Sequence, residues 1–201
     1  MDDPVRFANP IKNVRPHGAR LLEAFSPKLG RRVTFYSRAA FEIWLSVEAD
    51  PTVQTFCERP TQMSSGGREH TPDLWVRHAH RAVFLHWVDD DTILPAEWMG
   101  IEVRRVSTAQ LAANRIWVTN WERMLPVITV TRDCVSKQRL AEVRRFVTAP
   151  MSLARIEREF VAGDPMGLRG AVFRLLAAGT LIAPALKTER LWLQTLFEPA
   201  P

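Results

Sequence analysis

The sequence predicts an α/β fold in two parts: a mixed sheet with helices packed on it, then a small helical unit closed by two strands. Three observations carry this. β-rich runs and helical periodicity alternate through about residue 131. Two apolar runs, HTPDLWVR and AVFLHWV, are separated only by a short polar connection, as in a hairpin. From Ser136 onward, three capped helical segments follow one another.

Residues 1–32 are rich in Pro, Gly and Arg and read as a basic arm, with one short helix at 19–25. VTFY at 33–36 suits a short strand. Ser37 is an N-cap, and Phe41, Trp44, Leu45 and Glu48 follow at spacings of three and four, up to the stop at Asp50-Pro51. Strands are expected at 53–59, 70–77 and 82–88, with SSGGRE as a flexible loop before the second. Residues 89–97 form a polar turn. Residues 98–125 read as mostly helical, and PVITVT at 126–131 as a β-rich run.

The second unit is expected at 136–201. Ser136 caps a helix through Val147, and Ser152 caps one through Phe160. Asp164-Pro165 opens a third, ended by Gly179. TLIAPA and ERLWLQTLF then read as two strands. Three helices followed by a β-hairpin form a winged-helix pattern.

Composition narrows the function classes. The 201 residues are 46% hydrophobic, an ordinary globular proportion. No apolar run approaches the ~20 residues of a membrane span, so no membrane partner is expected. The opening MDDPVRFANP has no apolar signal core, and Cys57 and Cys134 read as reduced core positions. A cytoplasmic location is the expectation. The net charge is +5, with Arg well above Lys, which favours a polyanion partner.

The stretch 37–88 carries a motif: SRAAFEIWLSVEADPTVQTFCERP, then HTPDLWV, then AVFLHWV. It resembles the N-terminal domain of TnsA, the endonuclease subunit of heteromeric cut-and-paste transposons, over roughly residues 33–131. The resemblance implies a PD-(D/E)xK, restriction-endonuclease-like fold for residues 33–135. It also implies partners: duplex DNA at transposon ends, a TnsB-like transposase and a TnsC-like ATPase, which docks the C-terminal domain in TnsA relatives.

In such a site, carboxylates hold one or two divalent metals beside the scissile phosphate, and a Lys stabilises developing charge. Asp73 matches the Asp of the family's Thr-Pro-Asp. The family's helical Glu falls on Ala40, its strand Glu or Gln on His86, and its Lys on Val88. Glu42, two places after Ala40, is turned about 200° around the helix. Three of the four expected groups are therefore replaced. An alternative reading takes Ile101-Glu102-Val103-Arg104 as the active strand, with Asp73, Glu102 and Arg104 as the site. A magnesium ion is implied only if the site is active; otherwise no cofactor is expected.

Other groups have a plainer reading beside the functional one. His70, His78, His80 and His86 cluster around the hairpin, either as zinc ligands or as an exposed turn plus one half-buried His86. The tryptophans fall mostly at apolar-periodic positions and read as core. Arg104-Arg105 and Arg144-Arg145 are phosphate contacts or solvated helix faces. Arg169 and Arg174 lie on the third helix of the second unit, where a groove-reading helix is expected, with Arg144 and Arg145 on its first helix.

The functional expectation is a TnsA-like transposition subunit that acts in DNA positioning and transposase assembly, with a degenerate cutting site. The alternatives are an active metal-dependent endonuclease cutting the 5′ ends of the element, and a winged-helix transcription regulator.

Overall fold

The computed structural model describes residues 7–12, 15–88, 93–160 and 164–201. The chain divides into two compact units. The first comprises residues 1–48 and 52–113, the second residues 49–51 and 114–201.

The first unit opens with a hairpin, β1 (Leu22–Ser26) and β2 (Arg31–Phe35), where the sequence suggested an arm and a helix. Helix α1 (Arg38–Ala49) follows; the Ser37 hydroxyl accepts the Ala40 N–H at 3.1 Å, the expected N-cap. The Trp44 ring of α1 stacks on Phe35 of β2, centroids 5.4 Å apart. The hairpin is fastened to α1 by Glu48, whose buried carboxylate accepts the Ser26 hydroxyl at 2.7 Å and the Lys28 N–H at 3.0 Å.

Next come β3 (Thr55–Glu58), β4 (Met63–Ser65), β5 (Arg68–His70), β6 (Leu74–Arg77) and β7 (Ala82–Trp87). The loop SSGGRE is largely the β4–β5 hairpin, its turn at Gly66-Gly67. After β8 (Glu97–Trp98) and β9 (Ile101–Val106), helix α2 (Thr108–Ala113) closes the unit. The main sheet runs β3-β6-β7-β9-β8, antiparallel except for the parallel β7–β9 pair. Cys57, Trp75, Phe84 and Val103 bury one face, with Phe7 and Met63 packed against it.

Two expectations change here. Residues 101–106 are a strand, not helix, and 126–131 end a helix, α3 (Arg115–Val130), instead of forming a strand. Val118, Trp121, Leu125 and Ile128 bury one helical stripe, which outweighs the β-branched run and the internal Pro126. That stripe also moves the boundary. Helix α3 packs on elements of the second unit, which therefore begins at Asn114, ahead of residue 136.

The second unit continues with α4 (Lys137–Phe146), β10 (Met151–Ser152), α5 (Leu153–Glu159) and α6 (Pro165–Ala177). Then come β11 (Leu181–Ile182), a 3-10 turn at Pro184–Lys187, and β12 (Leu196–Pro199). Ser136, Ser152 and Asp164 cap α4, α5 and α6 as their side chains suggested. The small sheet runs β10-β12-β11, all antiparallel. Asn120, fully buried on α3, clasps the returning loop: Nδ2 donates to Leu186 O and Glu189 O, and Oδ1 accepts the Leu191 N–H, at 2.7–2.8 Å. Among the described residues no helix is long and apolar enough to cross a membrane.

Both cysteines are free thiols. Cys57 lies buried on β3, its thiol pushed up to about 12 chiefly by burial. Cys134 is exposed and not the core position expected, because the residues after α3 form a turn.

Candidate functional site

Asp73 stands one residue before β6, and His86 near the end of β7. The β6–β7 register pairs Leu74 with Leu85, so its extension by one residue sets Asp73 across from His86. Side chains alternate along strands, so both project on the face of Trp75 and Phe84. The contact is direct: His86 donates from Nδ1 to Asp73 Oδ2 at 3.1 Å, and the Trp87 N–H donates to the same oxygen at 2.7 Å. The His70 ring lies edge-on to His86, centroids 6.3 Å apart.

A cleft of about 280 Å³ opens beside Asp73, lined also by Pro16, Phe35, Tyr36, Ser37, Ala40, Arg59 and Thr71. Ala40, where the motif calls for a carboxylate, does reach this cleft, and it brings only a methyl group. Val88, at the lysine position, is buried and apolar.

Arg59 is the cleft residue that sequence reading missed. Its backbone is left-handed (φ 46°), and its N–H donates to Asp73 O at 3.0 Å. Its guanidinium donates to Thr34 O and Thr34 Oγ1 and lies 4.7 Å over the Tyr36 ring. The preceding Glu58 is buried and takes a two-pronged bond from Arg31, both contacts 2.7 Å. Arg31 is held above its ordinary value, first by that hydrogen bond. Arg59 therefore forms part of the cleft wall, and Glu58 beside it is held by its charge pair with Arg31.

A divalent metal of the nuclease type needs several oxygen donors. Among the described residues the cleft offers one carboxylate, Asp73, with its Oδ2 already accepting two N–H groups. No group of three or more His, Cys, Asp or Glu among the described residues is placed to hold a metal ion. The residues present do not fit such a centre. Of the other histidines, His78 bonds Thr52 Oγ1 through Nδ1 at 3.0 Å, and His80 is exposed in the turn.

The chain matches no family model and no curated protein.

Glu102 and Arg104 are not brought to Asp73. They lie on β9, one strand beyond β7, paired with Val83 and Leu85. That parity puts them on the sheet face opposite Asp73 and His86. They are exposed and paired with each other, Nη2 to Oε1 at 3.2 Å. The register across a parallel strand pair decides this, and no local motif encodes it.

In the second unit, the α6 arginines are engaged internally. Arg169 bonds Glu157 of α5 through Nε and Nη2. Arg174 donates to Val135 O at 3.1 Å and to Arg132 O at 3.4 Å, just past the end of α3. Leu168, residues 170–173 and residues 175 and 176 are all buried, so α6 lacks the exposed stripe that a groove-entering helix needs. Arg144 and Arg145, in the last turn of α4, are exposed. Of the tryptophans, Trp44, Trp75 and Trp121 are core, and Trp192 is exposed.

Proposed function

We propose that this chain is a nuclease-fold subunit of a heteromeric DNA transposition machine, one that positions DNA and assembles with a TnsB-like transposase and a TnsC-like ATPase without cutting. The observation that carries this reading is the Asp73–His86 pair beside Ala40. Ala40 lines the cleft beside Asp73 and His86 bonds its carboxylate, so the groups at the positions expected to complete the chemistry are a methyl, an imidazole and, at Val88, an isopropyl. A carboxylate without metal or lysine needs other donors, and Asp73 has them in His86 and the Trp87 N–H.

The mixed sheet with Asp73 at the start of β6 supports the restriction-endonuclease-like reading of the first unit. In the second unit, the order α4, β10, α5, α6, β11, β12 with sheet order β10-β12-β11 supports the winged-helix reading. The basic balance of the chain supports a DNA partner.

The test is nicking of supercoiled plasmid and of transposon-end duplex with magnesium or manganese. The expected result is no cleavage, together with a melting temperature unmoved by millimolar magnesium, because a ligand of the native state must raise it. Nicking that disappears in Asp73→Ala would establish the alternative, an active endonuclease.

A further inference from the structure

The four arginines considered for phosphate contact fall into two pairs. Arg169 and Arg174 are engaged by Glu157 and by backbone carbonyls, on a helix that buries Leu168, residues 170–173 and residues 175 and 176. Arg144 and Arg145 are instead exposed and line an open trough of about 610 Å³, with Thr148, Thr180 and Pro199 along its walls. Arg145 Nε donates to Ala141 O of its own helix at 3.3 Å, which leaves its terminal nitrogens to face the trough's ligand. Among the described residues no acidic side chain lines it. The charge of the chain is concentrated in the same unit: thirteen Lys and Arg against nine Asp and Glu, where the first unit has fourteen against thirteen.

We infer that the second unit grips the phosphate backbone of duplex DNA in this trough, through Arg144 and Arg145, and that α6 reads no base sequence. The inference rests on the DNA-acting function proposed above and deepens it. A guanidinium offers a planar fork that matches two phosphate oxygens. The threonine hydroxyls add neutral donors of the kind that fix register on a duplex. A peptide partner would need an apolar anchor pocket. Of the apolar residues along the trough, Val147 and Leu181 are each only 1% exposed, and the others are Pro199, Ala200 and Pro201, so no large aliphatic or aromatic side chain is open there among the described residues. Base readout needs side chains that enter a groove. Most α6 side chains are buried in the unit, and its two arginines are committed to Glu157 and to backbone carbonyls. That leaves Pro165 and Met166 as the exposed residues of its first turn and no polar side chain free to read a base edge, so binding is indifferent to sequence.

The test is fluorescence anisotropy of the full chain on two labelled duplexes, one AT-rich and one GC-rich, over a salt series. The expected result is similar affinity for both, within about threefold, since the contacts are to phosphate. Arg144→Ala with Arg145→Ala should weaken binding and lower the salt slope by roughly 1.8, about 0.9 for each lost phosphate contact. Arg144→Lys with Arg145→Lys should keep the slope, which separates charge contact from loss of fold. Arg169→Ala with Arg174→Ala should leave the slope of the folded fraction unchanged. An unchanged slope in the Arg144/Arg145 alanine variant overturns the inference while DNA binding itself stands. A marked preference for one duplex overturns the claim about α6. Absence of any duplex binding at low salt, or capture of polyglutamate in place of DNA, overturns both this inference and the direct DNA contact in the proposed function.

Discussion

Replacing Gly170 with alanine tests how closely α3 lies on α6. Alanine is ordinarily the better helix residue, by about 1 kcal/mol in a helix interior. Here a Cβ at position 170 would lie 2.0 Å from Thr131 Oγ1, 2.8 Å from Thr131 Cβ and 3.2 Å from Thr131 Cγ2. The hydroxyl is tied to Val127 O at 2.7 Å, and a Cβ moves only with its backbone. Overpacking of this kind costs about 1–3 kcal/mol, and so rigid a neighbour argues for the upper end. The net loss is then about 2 kcal/mol once the propensity gain is subtracted. Hydrogen exchange of the α3 and α6 amides in the full chain reads this directly, as a loss of protection of roughly thirtyfold in unfolding-limited amides. Adding Thr131→Ala removes the 2.0 Å and 3.2 Å contacts but keeps the 2.8 Å one, so it should restore part of the protection. Equal or greater protection in Gly170→Ala alone would refute the packing. It would also reopen α6 as a groove-facing helix.

Three further outcomes follow from contacts described above. Asn120→Ala leaves one buried carbonyl, one part-buried carbonyl and one buried N–H of the 186–191 loop without their partner, so a loss on the order of 2–3 kcal/mol is expected in urea unfolding of that unit. Met99 occupies a left-handed position (φ 55°) in the two-residue turn between β8 and β9, ahead of Gly100 (φ 77°). Met99→Asn should therefore raise stability by about 0.5–1 kcal/mol, seen as a higher melting temperature. Burial raises the Glu48 carboxyl above its ordinary value against the opposing hydrogen bonds from Ser26 and Lys28. The native chain then holds this proton at a pH where the unfolded chain has released it. This contribution to stability grows as pH falls from the native value toward the ordinary glutamate value and is lost as pH rises. Glu48→Gln should remove that slope from urea midpoints measured across the window.

The parts of the fold that were legible in the sequence are those set by local chemistry. Ser37, Ser136, Ser152 and Asp164 each mark a helix start because a cap needs only a side-chain oxygen beside two or three N–H groups. The β6–β7 hairpin was legible too, because a short polar connection joins its strands; the Asp73–His86 bond follows from its register, which the structure supplies. Residues 126–131 were misread because β-branched composition speaks for a strand, while the burial that makes them helical is supplied by distant residues. Glu102-Val103-Arg104 resembled an active strand, yet its face depends on a parallel register set by the whole sheet. Arg59 carried no periodic or motif signal of its own. Its place in the cleft wall comes from a left-handed backbone and the bond to Asp73 O.

The small sheet of the second unit has a consequence for the order of assembly. β12 comes last in chain order, yet it lies in the middle, between β10 and β11. The two outer strands are two residues each and make their ladder bonds only to it. No partial sheet can therefore form as the earlier elements emerge from synthesis. Phe197, fully buried in β12, arrives with the same strand. The Asn120 clasp likewise waits for partners 66 to 71 positions downstream. The helices can pack on α6 before then, but until residues 196–199 are in place the small sheet and the burial of Phe197 are missing, so the unit is completed only in a late step.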